Sequence, residues 1–226
     1  MSLVGDSPPW RTSLLSVYDT VRAAIMRAWP TCVSRIRVPN LPLGTPASTR
    51  QRKKEDLEDP ITRDLVRRLK QDGEIRGRFH VESQREMIEP SLSLSPDPKS
   101  YLDIAIVFFV SVDEVCLTLE CKRLNVVRSK GRGKATLARE YVEKGMMRFV
   151  NGQYSSENSL GGMIGYVMDG DIAAAHEAVI KKIDSTSALL CSSGTIQILK
   201  HPDYFSTVHN RTPITIELRH QLLAAK

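Results

Sequence analysis

The feature that most constrains this chain is a pair of consecutive strand-like segments, Leu102 to Val110 and Val115 to Lys122, separated only by Ser111 to Glu114. The first is almost continuously apolar and rich in β-branched and aromatic residues, as expected of a strand covered on both faces. The short connection predicts an antiparallel hairpin. One residue breaks the apolar pattern. Asp103 sits near the start of the first strand, and a carboxylate buried there is costly unless a cation or hydrogen bonds compensate it.

Side chains alternate between the faces of a strand. Cys116, Thr118, Glu120 and Lys122 therefore point to one side, and Val115, Leu117, Leu119 and Cys121 to the other. Glu120 and Lys122 project together, roughly 7 Å apart along the backbone, and Asp103 is close enough to reach the same spot across the hairpin. Two readings follow. Two carboxylates and an ammonium can form a structural ion-pair cluster. Alternatively they form a site for a hard cation, Mg²⁺ or Mn²⁺, which needs only one or two carboxylates and a backbone carbonyl to be held on a phosphodiester. Such a cation acidifies a bound water and neutralises charge developing on the phosphate. A neighbouring lysine can orient or help deprotonate that water if burial and the cation depress its pKa.

The flanking segments predict helices on both faces of a mixed sheet, an α/β fold. Leu14 to Ala28 has helical spacing and is expected to end at Pro30. A second helix begins near Asp59-Pro60, carries the stripe Ile61, Leu65, Val66 and Leu69, and stops at Asp72-Gly73. A strand or hairpin follows from about Arg76 to Ile88. Thr136 to Val150 reads as a helix with Leu137, Tyr141, Gly145 and Phe149 on one side, and Gly162 to Met168 as a buried strand. Asp171 to Ile183 is an amphipathic helix with Asp169 and Asp171 at its start and Lys181 and Lys182 at its end, matching the helix dipole. Thr195 to Leu199 and Pro213 to Leu218 are further strands, and His209 to Arg211 reads as a turn in which His209 and Arg211 could touch nucleic acid.

At 226 residues the chain can bury one sizeable core. Prolines at 39, 42 and 46 suggest that residues 1–50 form a helix and linker, with the main domain over 51–226. The formal net charge of +6 favours a polyanionic partner. Arg123, Arg128, Lys130, Arg132 and Lys134 follow the second strand with no acid among them, and Gly131 and Gly133 make this a mobile loop. The loop is either a solvated surface or a set of phosphate contacts. The four cysteines lack zinc spacing, so reduced thiols are expected. No segment reads as a secretory signal or membrane span, which makes the cytoplasm the expected location.

Asp103, a spacer and then Glu120-Cys121-Lys122 at the end of the next strand resembles the D…ExK signature of the PD-(D/E)XK, or restriction endonuclease-like, nuclease superfamily. That resemblance implies a core of helix, three strands, helix and strand (αβββαβ) spanning roughly Glu58 to Leu199. It implies that Asp103 and Glu120 bind the metal, that the Cys121 carbonyl adds a ligand, and that Lys122 is the catalytic lysine. An acid on the preceding helix matches Glu58 best, with Asp59 and Asp64 as weaker matches. Leu102 stands where the signature has proline, and the following helix has no glutamine-tyrosine motif, although Glu140, Tyr141 and Lys144 occupy that region. The runs after Glu120 are also similar to restriction-like nucleases of bacterial anti-phage systems. The implied function is metal-dependent cleavage of nucleic acid, DNA first, by a homodimer or a subunit of a defence complex. The competing reading is a subunit that binds nucleic acid without cutting it.

Overall fold

The computed structural model describes residues 9–34, 58–86, 101–110, 112–127, 134–154, 158–190, 192–211 and 214–225. Its strands are β1 (His80–Glu86), β2 (Tyr101–Val110), β3 (Asp113–Leu124), β4 (Val126–Val127), β5 (Lys134–Ala135), β6 (Leu160–Val167), β7 (Ser192–His201), β8 (Tyr204–Asn210) and β9 (Thr215–Ala224). The helices are α1 (Pro9–Val33), α2 (Asp59–Leu69), α3 (Met147–Val150) and α4 (Ile172–Ser185), with a π-helical segment, Glu140–Met146, leading into α3.

The hairpin forms as its apolar pattern demands. β2 pairs antiparallel with β3, from Val110 opposite Asp113 to Ile104 opposite Leu119. It lies inside a seven-stranded mixed sheet of order β1-β2-β3-β6-β9-β8-β7, in which β3-β6 and β6-β9 are the parallel neighbours. β4 and β5 make a separate ribbon. From α2 to β6 the main elements run helix, three strands, helix, strand, with that ribbon inserted after β3.

Two buried layers sandwich the sheet. α1 and α2 pack with Ile104, Ile106, Leu117, Leu119 and Cys121 on one face. Tyr141, Phe149, Ala175, Val179 and Ile183, from the π-helical segment, α3 and α4, cover Met163, Val167 and Leu218 on the other. The predicted stripe of α2 is buried throughout, and Asp171 caps α4 by accepting the Ala174 N–H at 3.1 Å.

Several expectations need correction. Pro30 does not end α1, which runs on to Val33. Tertiary packing carries it past the missing N–H: Trp29 stacks on Tyr166 with centroids 5.4 Å apart and donates to the Ala224 carbonyl at 2.7 Å, and Cys32 is buried. α1 packs into the same buried core as the sheet. Leu137 lies before the helix with a left-handed φ of 53°. His209 and Asn210 end β8, a strand absent from the sequence reading, and Arg211 opens the turn expected there, donating its N–H to the Ile214 carbonyl.

The proline-rich stretch before Arg50, the basic cluster that follows it, the loop with Pro90, Pro96 and Pro98, and Cys191 lie outside the described residues. Cys32, Cys116 and Cys121 are free thiols. Among the described residues no helix is long and apolar enough to cross a membrane.

Candidate metal centre

The site begins where the hairpin ladder ends. β2 leaves β3 after Ile104, while β3 continues beside β6 as far as Leu124 opposite Val167. In place of a strand partner, the Cys121 N–H finds the Asp103 carboxylate, donating to Oδ2 at 2.7 Å. This bond fixes Asp103 and offsets part of its desolvation. The two-residue alternation of β3 then brings Glu120 and Lys122 to the same place.

Lys122 is the hub. Its Nζ lies 2.7 Å from Glu120 Oε1, 3.7 Å from Glu58 Oε2 and 3.9 Å from Asp103 Oδ2. It also donates to the Cys121 carbonyl at 3.0 Å. Glu58 reaches it from the N-terminus of α2, where its side chain makes no capping bond. Asp103, Glu120, Lys122 and Glu58 therefore converge from two strands and one helix. The weaker candidate Asp64 instead pairs with Arg67 and Arg68.

Burial sets the electrostatics. Glu120 is 0% exposed, and desolvation together with the nearby Asp103 charge pushes its carboxyl up to about 7 despite Lys122 and Arg148. Desolvation also pushes Glu58 up to about 7, with Lys122 and Arg123 pulling the other way. For Lys122, burial acts to lower the pKa, but Glu120, Glu58 and Asp103 together outweigh it and raise the value above the usual lysine range. The depressed lysine expected from the sequence is thus not what these groups alone produce.

The donor set suits a hard divalent cation. Glu58 Oε2 and Glu120 Oε2 are buried without a hydrogen-bond partner, and Asp103 and the Cys121 carbonyl supply further oxygens nearby. These are the ligand types that Mg²⁺ and Mn²⁺ accept. As they stand, the described residues contain no group of three His, Cys, Asp or Glu side chains drawn tightly enough to hold an ion. The Lys122 ammonium stands among the carboxylates instead. The Cys121 thiol points the other way, into the core beneath α1 and α2.

No family model, curated protein or solved structure matches the chain.

The basic residues placed in one loop are not alike. Arg123 is the penultimate residue of β3, 5% exposed beside Glu58, and a buried guanidinium cannot meet a phosphate chain on the surface. Lys134 begins β5. Arg128, Lys130 and Arg132 lie outside the described residues. His209 is fully buried, and Arg211 spends its guanidinium on the carbonyls of Phe149, Tyr154 and Asn158.

The sequence reading missed Arg148 and Tyr154 and gave Gly145, placed on one side of this helix, no part in the site. Gly145 lets the π-helical segment lie against β3: a Cβ there would come within 2.7 Å of the Met163 methyl and about 3.5 Å of the Lys122 and Glu120 side chains. π-turns are rare and concentrate near functional sites. Arg148, just beyond it, donates from NH1 to Glu120 Oε1 at 3.0 Å and contacts the Tyr154 hydroxyl. Only the unusual Gly-Met-Met-Arg run inside an amphipathic helix could have drawn attention to them. Of the residues considered in this helix, Tyr141 is buried and hydrogen-bonded to His220, and Lys144 is exposed.

Proposed function

We propose that this chain is a metal-dependent nuclease hydrolysing phosphodiester bonds of nucleic acid, with DNA as the first substrate to test. The observation that carries the reading is the meeting of Glu58, Asp103 and Glu120 within 4 Å of one lysine ammonium. Desolvation raises two of these carboxyls, Glu58 and Glu120, to about 7 in spite of the cations beside them. Such perturbed groups are more common at functional sites than in scaffolds. The element order from α2 to β6 agrees with the restriction endonuclease-like core implied by the D…ExK resemblance.

In this reading Asp103, Glu120 and the Cys121 carbonyl hold Mg²⁺ or Mn²⁺, and Glu58 supports them from α2. The cation supplies an acidified water and charge neutralisation at the phosphate. The chain's own residues do the rest. The Cys121 N–H keeps Asp103 aimed at the site. Lys122, anchored on Glu120, holds its ammonium where it can orient a water toward phosphorus. The β2-β3 ladder beneath sets their spacing.

A second reading, a subunit that binds nucleic acid without cutting it, draws on the position of the Lys122 ammonium, which bridges Glu120 and the Cys121 carbonyl. Plasmid cleavage separates the two. With Mg²⁺ or Mn²⁺ the wild-type protein should nick or linearise supercoiled DNA, and Asp103→Ala and Lys122→Ala should lose that activity while remaining folded by circular dichroism. Cleavage that persists unchanged in both variants removes the assignment. Salt-sensitive binding without cleavage, under any divalent metal, favours the second reading.

A further inference from the structure

The two cations beside Glu120 are not used alike. Lys122 turns inward, with its ammonium engaged by Glu120 and the Cys121 carbonyl and facing two more carboxylates. Arg148 makes both of its hydrogen bonds through one nitrogen, NH1, to Glu120 Oε1 and the Tyr154 hydroxyl. Its Nε and NH2 have no partner among the described residues, neither is a buried orphan, and the side chain is 34% exposed. Among the described residues the guanidinium is thus held by one corner, on a partly exposed side chain beside the carboxylate cluster.

Its support is rigid. The Tyr154 ring packs edge-on against Phe149 with centroids 5.5 Å apart. Arg211 ties down the carbonyls of Phe149, Tyr154 and Asn158. Neutralising Glu120 does not by itself explain such a residue. Lys122 already does so at 2.7 Å, and both cations share Oε1 while Oε2 has no partner.

Resting on the nuclease reading, the geometry points to Arg148 as the residue that grips a non-bridging oxygen of the substrate phosphodiester. A planar guanidinium, here with two nitrogens that lack a partner among the described residues, matches phosphate oxygens better than an ammonium does. Charge agrees: with Glu58, Asp103 and Glu120 ionised they are matched by Lys122, Arg123 and Arg148, so a divalent cation leaves the site with an excess of two positive charges, which a phosphodiester anion reduces.

The test compares full-length wild type, Arg148→Met and Arg148→Lys. Binding of a short fluorescent DNA duplex is followed with Ca²⁺ across a salt series, Mn²⁺ affinity is measured separately without DNA by calorimetry, and melting is recorded for all three proteins. Losing one charge-assisted phosphate contact should weaken DNA binding by about 10- to 100-fold. The slope of log affinity against log salt should also shrink by about 1. Mn²⁺ affinity should not fall, because Arg148 supplies no metal ligand and its positive charge opposes the cation. Arg148→Lys should recover the salt slope with only part of the affinity, and this variant decides the matter if Arg148→Met does not fold. An unchanged salt slope in Arg148→Met overturns the proposal. So does parallel loss of Mn²⁺ and DNA affinity, which would make Arg148 only a positioning residue for Glu120. If wild type cleaves DNA and the variants bind it normally, the clamp alone fails. If wild type neither binds nor cleaves any nucleic acid, the nuclease reading fails and the clamp falls with it.

Discussion

Replacing Glu120 by glutamine tests the central electrostatic claim without reference to any activity. In the fold the Glu120 carboxyl titrates at about 7 against an ordinary value of 4.5. Between those values the folded protein holds a proton that the unfolded chain has released. The stability linked to this group is therefore fully present below 4.5 and is lost as pH rises through 7. A difference of about 2.5 pKa units corresponds to about 3 kcal/mol, at 1.36 kcal/mol per unit. Glu58, raised to the same extent, contributes in the same direction, although their common neighbours Lys122 and Asp103 keep the two shares from adding simply.

Glutamine does not titrate. The amide of Glu120→Gln can still accept from Lys122 and Arg148, and its NH₂ takes the place of the unpartnered Oε2 at a cost that is the same at every pH. The informative quantity is therefore the change in the stability gap between the two proteins with pH. Urea unfolding in chelator at about pH 5 and about pH 8 should show the gap moving in favour of Glu120→Gln by about 2.5 kcal/mol, or roughly 5–10 °C in melting temperature for a chain of this size. Histidine titrations are common to both proteins and cancel. Parallel stability curves, or a steeper decline in the variant, would refute the claim that burial dominates over ion pairing at Glu120.

Divalent cation should stabilise the wild type more at about pH 8 than at about pH 5, because the carboxyls must release protons to accept it; equal shifts in melting temperature at both values would count against a carboxylate site. Lys122→Met removes the compensating ammonium and should cost about 3–5 kcal/mol where the carboxyls are ionised, and much less in acid; denaturant titration at both ends of the range checks this. Burial lowers the pKa of both His209 and His220, so stability present above the ordinary imidazole range should fall as pH drops below about 6.5. His209 Nδ1 faces the Leu190 carbonyl and must donate to it, so Thr207 donates to His209 Nε2, His220 Nε2 donates to Thr207, and Tyr141 donates to His220 Nδ1; nitrogen NMR showing the opposite tautomer on either ring would break that chain.

Legibility of the fold followed how far local pattern decided structure. The stripe Ile61, Leu65, Val66 and Leu69 fixed a helix because each member finds the core. The β2-β3 hairpin was readable because a short turn leaves few alternatives for two apolar strands. β8 was not: Tyr204 to Asn210 contains Ser206, Thr207 and His209, all buried, and polar residues suggest a surface turn unless their partners are known. Thr207 finds His220 on β9 and His209 finds the Leu190 carbonyl, so only the folded chain brings them together. Pro30 misled for a related reason, since the packing of Trp29 and Cys32 outweighs a single lost helix bond. At the site, alternation within β3 was enough to pair Glu120 with Lys122. Arg148 could not be found that way, because it lies 28 residues from Glu120 and arrives through a π-turn.

The position of the cluster has a cause in the sheet itself. A carboxylate in mid-ladder would face strand backbones whose N–H groups are already paired. Asp103 lies one residue beyond the last β2-β3 pair, where the Cys121 N–H has lost its β2 partner but β3 is still held by β6. The open donor orders the carboxylate, and the carboxylate satisfies the donor. With Asp103 so fixed, the strand's own alternation sets Glu120 and Lys122 beside it, and α2 and the π-helical segment, brought close by Gly145, seal the two sides. Extending the ladder by one pair, for example by a substitution at Asp103 that lets β2 follow β3, would restore regular sheet and remove the organising bond together. The site thus depends on the fold being left incomplete at one point, beside a Glu120 that is fully buried and whose ionised form is therefore costly.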